Sequence, residues 1–140
     1  MVTNKLYFIV LLVILLGCNK SPNIDCENPD YSSCITTEPV DGSLRIIVTK
    51  LNKNSRVPLT LYQGKYGAPE KIIFNDTVCI VDTSFFLPLN YNYYAIAKYI
   101  NNGKTTYAVD GDFFQKYSKT ECDSVCWSIK GDEIDVRLKY

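Results

Sequence analysis

Leu44-Arg45-Ile46-Ile47-Val48-Thr49 and Val57-Pro58-Leu59-Thr60-Leu61 decide how this chain folds. Leu44, Ile46 and Val48 share one face of an extended backbone while Arg45 and Thr49 take the other; Val57, Leu59 and Leu61 alternate with Pro58 and Thr60 in the same way. A period of two marks a strand with one face on a core and one in water. It returns at the end of the chain, where Ile134, Val136 and Leu138 alternate with Asp135, Arg137 and Lys139. Between these, Tyr93 to Ile100 and Thr105 to Val109 flank Asn101-Asn102-Gly103-Lys104, whose Asn-Gly pair suits the positive φ angles of a tight hairpin. Gly131-Asp132 separates Trp127-Ser128-Ile129 from the last strand, and no window after residue 43 carries a capped helical stripe. The pattern predicts an all-β antiparallel β-sandwich of seven or eight short strands over residues 43–140.

Of the 140 residues, 46% are apolar and 13% aromatic, with 15 basic and 15 acidic side chains. That balance gives no electrostatic case for nucleic acid. The absence of His removes Ser-His-Asp and Cys-His catalysis, His-ligated metals and the usual switch near neutral pH.

The start of the chain reads as an address. Met1 to Lys5 carries one positive charge, and Leu6 to Leu16 is an unbroken apolar run of eleven residues. A membrane span needs roughly 20 such residues, whereas a charged start with a core of this length is what a secretory signal presents. The run ends in Leu15-Leu16-Gly17-Cys18, which resembles the lipobox of bacterial lipoproteins. The resemblance implies that residues 1–17 are a signal peptide removed before Cys18, that the Cys18 thiol carries a diacylglycerol, and that the new amino group is acylated. Two or three chains anchor stably where one binds only marginally. Asn19 stands where an Asp would retain such a protein at the inner membrane, so the resemblance implies the outer membrane and leaves the leaflet open. The 123 residues that remain have single-domain length and, since Lys5 leaves with the leader, one acidic side chain in excess. Residues 18–42 contain three Pro and many polar residues with almost no aliphatic ones, a composition expected of a flexible tether.

Within the sandwich region, Gly42-Ser43-Leu44-Arg45-Ile46-Ile47-Val48, Val57-Pro58-Leu59-Thr60-Leu61-Tyr62, and Phe86-Leu87-Pro88-Leu89 followed by Tyr93-Tyr94-Ala95-Ile96-Ala97-Lys98-Tyr99 resemble the prealbumin-like sandwich of carboxypeptidase regulatory-like domains. The likeness spans roughly residues 42–100 and closes with Ile134 to Leu138, but Thr105 to Lys130 is longer than that pattern and adds a Cys pair. The chain is also similar to small uncharacterised bacterial lipoproteins that end in a Val-Asp-Gly-Asp, Cys-rich, Trp-containing segment; that likeness implies no activity.

With Cys18 lipidated, five cysteines remain, and export makes disulfides the default. Proximity ranks Cys122 with Cys126 first, provided the intervening residues curl into a turn, because an extended strand would set them about 13 Å apart. Cys26 with Cys34, bracketing Pro29, is the second expected bond. Cys79, between Val78 and Ile80, is expected as a buried free thiol. A redox pair is less favoured, since three residues rather than two separate Cys122 from Cys126, without a βαβ context. Zinc on four Cys would draw ligands from distant loops. Asp110-Gly111-Asp112, with Asp82 as a possible neighbour, offers carboxylates to calcium or to glycoside hydrolysis, but calcium wants six to eight oxygens and a glycosidase needs a cleft with a spaced pair. A turn is the simpler reading. No metal and no cofactor is expected.

Phe85-Phe86-Leu87-Pro88-Leu89-Asn90-Tyr91-Asn92-Tyr93-Tyr94 is the most aromatic stretch. Strand alternation sends half of such side chains inward and leaves others free to stack on sugars or a protein partner; Phe85, Tyr91, Tyr93 and Tyr94 are the candidates. The expected function is a non-enzymatic, lipid-anchored accessory or binding protein of the cell envelope, held to the membrane through Cys18, its partner a protein or a glycan and not a nucleic acid. The alternatives are a small hydrolase using carboxylates such as Asp110 and Asp112, or a subunit that exchanges a strand in a surface assembly.

Overall fold

A computed structural model describes residues 34–52, 56–122 and 124–139. The lipobox, Cys18 and Cys26 lie outside them. Eight strands follow in order: β1 (Asp41–Ile47), β2 (Val57–Lys65), β3 (Ala68–Val78), β4 (Asp82–Pro88), β5 (Tyr91–Asn101), β6 (Lys104–Glu121), β7 (Ser124–Lys130) and β8 (Glu133–Asp135). They form a three-stranded sheet, β4-β1-β8, and a five-stranded sheet, β3-β2-β5-β6-β7. This is the expected all-β sandwich. Neighbours pair antiparallel except β1 with β8, which run parallel.

The alternation explains the core. Leu44, Ile46 and Val48 from the smaller sheet meet Leu59, Leu61, Tyr93, Ala95, Ala97, Tyr99 and Phe114 from the larger, with Ile134 and Val136 closing one side. Each large aliphatic or aromatic side chain so buried contributes about 1.5–3 kcal/mol, and no buried polar or charged side chain interrupts them among the described residues. On β5 the inward series is large, small, small, large: Tyr93, Ala95, Ala97, Tyr99. The two alanines leave room for the opposing sheet, and the tyrosines tie the sheets at both ends. The Tyr93 hydroxyl donates to the carbonyl of Pro88 at 2.9 Å, and the Tyr99 hydroxyl donates to that of Val136 at 2.7 Å. Tyr99 also accepts from the Thr49 amide at 3.0 Å.

The turns fall where the glycines sit. Asn102 (φ 50°) and Gly103 (φ 76°) join β5 to β6, and Gly131 (φ 69°) lies between β7 and β8, both as expected. Asp110-Gly111-Asp112, in contrast, is not a turn. It lies inside β6, whose first part pairs with β5 and whose second part pairs with β7. Glycine stands there because of close approach: a Cβ on Gly111 would come within 2.6 Å of the Tyr93 carbonyl oxygen and of the Tyr94 Cβ.

Residues 34–42 also depart from the tether reading. Ile35 forms a β-bridge with Trp127, whose amide donates to the Ile35 carbonyl at 2.9 Å, and β1 already begins at Asp41. Lys116 Nζ reaches Glu38 at 2.6 Å and lies over the Trp127 ring. A disulfide joins Cys34 to Cys126, Cα atoms 5.0 Å apart. The expected Cys122–Cys126 and Cys26–Cys34 pairings are therefore incorrect. The hairpin puts Cys122 at its turn (φ 53°) while β7 carries Cys126 away from it in extended form, and the Ile35–Trp127 bridge brings Cys34 to Cys126 instead. Cys122 is in a disulfide of its own. Cys79 is free, as expected, but exposed rather than buried, because β3 ends at Val78 and Cys79 enters the connection to β4.

Candidate functional site

The larger sheet has one face on the core and one open, and the open face carries several large apolar side chains. On β5 the outward series is Asn92, Tyr94, Ile96, Lys98 and Ile100, the residues between the core positions. Strand pairing sets Tyr62 of β2 opposite Tyr94, and Gly111, Val109 and Tyr107 of β6 opposite Tyr94, Ile96 and Lys98. Ile72 of β3 lies opposite Tyr62. Ile72, Ile100, Tyr107, Val109 and Phe113 are all exposed. Singly such residues are ordinary on a surface; here several share one sheet face.

Three tyrosines organise one end of this face. Tyr62 and Tyr94 stack with centroids 4.7 Å apart and planes 10° from parallel. Tyr66 meets Tyr94 edge-on, at 5.5 Å and 90°. The Tyr66-Gly67 turn between β2 and β3, with Gly67 at φ 86°, carries Tyr66 out of the sheet plane. The result is a packed Tyr94, 5% exposed, beneath a Tyr66 that is 69% exposed. Beside them opens a cleft of about 450 Å³ lined by Gly64, Lys65, Tyr66, Asn92, Tyr94 and Val109, among others.

Of the polar side chains lining this cleft, Asp110 accepts from the Asp135 amide, and the others are uncommitted. Among the described residues, no hydrogen bond or ion pair engages the Asn92 amide, the Lys65 ammonium or the hydroxyls of Tyr66 and Tyr94. Among the described residues no buried side-chain polar atom lacks a partner, so the Tyr94 hydroxyl reaches solvent although its ring is covered. Burial raises its pKa above the tyrosine norm, with the Tyr62 and Tyr66 phenols adding to the effect. It therefore remains a protonated donor at neutral pH.

The sequence candidates divide. Tyr94 belongs to the cleft. Tyr93, whose side chain points the other way, is 1% exposed in the core, Phe85 is half-buried against Phe74, and Tyr91 is exposed on the face opposite Tyr94. Tyr93 and Phe85 are structural, and the four candidates do not form one surface. Tyr62 and Tyr66 were missed, and each had a signal: Tyr62 continues the solvent-facing series Pro58, Thr60, and Tyr66-Gly67 is a turn dipeptide between apolar runs.

The carboxylates singled out earlier have local partners. Asp110 accepts from the Asp135 amide at 2.7 Å, holding β6 to β8, and Asp112 accepts from the next amide, Phe113, at 2.7 Å. Among the described residues no group of three or more His, Cys, Asp or Glu side chains is gathered as a metal site. Comparison with family models, with curated proteins and with solved structures finds no match.

Proposed function

We propose that this chain is a lipid-anchored protein of the bacterial cell envelope that works by binding, with no turnover of its own, and that the open face of its five-stranded sheet is the contact surface. The observation that carries the reading is the continuity of that face: Ile72, Tyr62, Tyr94, Val109 and Phe113 run across four neighbouring strands. A surface of this kind gains affinity by covering apolar area, and it needs no activated nucleophile or tuned acid/base pair. The anchor follows from the lipobox, with outer-membrane placement from Asn19, and the strand spacing supports a prealbumin-like class of sandwich. Strand exchange is less well supported. At one edge of the larger sheet β3 carries Pro69, Glu70, Lys71 and Asp76, which obstruct pairing with another edge, and at the other edge β7 already holds Ile35 in a β-bridge at Trp127.

Acyl labelling in the native host tests the anchor. Cys18→Ser should abolish labelling and leave uncleaved precursor, whereas unlabelled, soluble wild-type protein would refute it. Photo-crosslinkers at Tyr107 and Val109, placed in the full-length protein, test the surface: contacts should form from these positions and not from Ser84 on the smaller sheet. Envelope-substrate hydrolysis that disappears in Asp110→Asn would overturn the non-enzymatic reading.

A further inference from the structure

Deepening the binding reading, on which it rests, we infer that the cleft beside Tyr66 and Tyr94 is a glycan subsite that takes one or two pyranose rings. Three features of the cleft narrow its occupant. The first is shape. A space of about 450 Å³ lies within the 300–1,000 Å³ typical of small-ligand sites and is bounded by β2, β5, β6 and the β2–β3 turn.

The second feature is the pairing of a flat apolar wall with uncommitted hydrogen-bonding groups. Tyr66 offers an open ring, and its edge contact with Tyr94, itself stacked on Tyr62, fixes that ring in place before any ligand arrives. A pyranose is amphipathic in the same sense: one face presents axial C–H groups that pack on an aromatic ring, while its rim presents hydroxyls that both donate and accept. Asn92 supplies an acceptor and two donors, Lys65 supplies donors, and the Tyr66 and Tyr94 hydroxyls do both. Among the described residues none of these four polar groups has a hydrogen-bond or ion-pair partner, so hydroxyl groups could replace water on them without breaking an internal bond.

The third feature is charge, which disfavours phosphates and metal cations. Lys65 is the cation lining the cleft, too little for a phosphate or polyphosphate, which draws several Arg or Lys or a helix N-terminus. The carboxylate that lines it, Asp110, is already held by the Asp135 amide, and among the described residues no acidic cluster favours a metal cation. An apolar protein side chain would use the aromatic wall but leave the Asn92 side-chain amide and the hydroxyls unmatched.

The test uses the full lipidated protein in detergent micelles, with cellohexaose, maltohexaose, mannohexaose, xylohexaose and a neutral N-acetylglucosamine hexamer as probes, by calorimetry and saturation-transfer NMR. At least one probe should bind, with transfer strongest to ring C–H protons. Tyr66→Ala should weaken it tenfold or more, Asn92→Ala should weaken it severalfold, and Tyr66→Phe should retain most of it. Tyr66 is an exposed hairpin-tip residue, so its loss should leave the melting curve in place; Tyr91→Ala, on the opposite face, should leave affinity unchanged. Absence of binding to every probe up to 10 mM, as an approximate practical ceiling near −3 kcal/mol, overturns the glycan assignment, as does binding indifferent to Tyr66→Ala. If sugars fail while crosslinkers at Tyr107 and Val109 still report contacts, the subsite is wrong and the binding reading stands; if both fail, both are wrong.

Discussion

Tyr99→Phe removes one oxygen and no carbon, which makes it a clean probe of how the two sheets are tied. Tyr99 is 2% exposed. Its hydroxyl donates to the Val136 carbonyl at 2.7 Å and accepts from the Thr49 amide at 3.0 Å, so a single atom on β5 serves both the exit of β1 and the exit of β8. Deleting it orphans both groups. A buried polar group left without a partner costs about 1–3 kcal/mol. Assigning about 1–2 to the buried Val136 carbonyl and about 0.5–1 to the partly solvated Thr49 amide gives about 1.5–3 kcal/mol in all. For a domain of about 100 residues this lowers Tm by roughly 6–24 °C. Urea unfolding of the chain expressed without residues 1–17, with its disulfides formed, should show a lower midpoint at unchanged slope. A loss below about 0.5 kcal/mol would refute the reasoning, because it would mean that water or a shifted backbone satisfies both groups. The variant has an alkaline signature too. Burial pushes the Tyr99 phenol up, so above about pH 10 the unfolded chain loses that proton while the native state keeps it, and stability falls as pH rises. Phenylalanine cannot titrate, so the alkaline loss should be shallower in Tyr99→Phe, persisting in part through Tyr93 and Tyr94, whose pKa values are also raised by burial.

Peptide mapping without reduction should recover Cys34 linked to Cys126 and Cys122 in a separate disulfide; a Cys122–Cys126 fragment would contradict the fold. Closing a loop with a sequence separation of 92 is worth about 4–5 kcal/mol in the chain-entropy model, and the paired change Cys34→Ser with Cys126→Ser should cost less than this, because the Cys122 disulfide remains. Asp135 is held down to about 2, chiefly by hydrogen bonding from Arg137. The stability it contributes is present above its ordinary value of 3.8 and is lost as pH falls through about 2, so Asp135→Asn should flatten that acid limb. An NMR titration midpoint for Asp135 near 4 would contradict the pairing. Gly111→Ala forces a methyl against the Tyr93 carbonyl and the Tyr94 Cβ, and should cost about 1–3 kcal/mol and disturb the Tyr62–Tyr94 stack. An unchanged melting curve would show that β5 and β6 can separate freely at that point.

How much was legible depended on whether a feature repeats along the chain. Leu44-Ile46-Val48 and Val57-Leu59-Leu61 reveal their strands because each inward residue is confirmed by the next one two places on, and all six are buried in the sandwich. β3 hides for the opposite reason. Ile72, Ile73 and Phe74 are consecutive, which breaks the period, and pairing with β2 shows why: Leu61 meets Phe74 and Tyr62 meets Ile72, so Ile73 is the extra residue of a bulge, and Ile73 and Phe74 both pack on the core. The cysteines failed on a ranking by proximity. A local pair must curl, whereas β7 keeps Cys126 extended, and its partner Cys34 comes from 92 residues away. The aromatic stretch is the instructive middle case. Tyr93 and Tyr94 were both candidates, and adjacency in a strand guarantees that they face opposite ways. The direction was already written two and four residues on: Tyr93 shares its parity with Ala95 and Ala97, and Tyr94 with Lys98, whose charge cannot enter an apolar core unpaired. Following parity from a charged residue back to the aromatic beside it would have put Tyr94 outside and Tyr93 within. Pairing across to Tyr62, and Tyr66 folding over from the turn, requires the register between strands, which only the folded sheet contains.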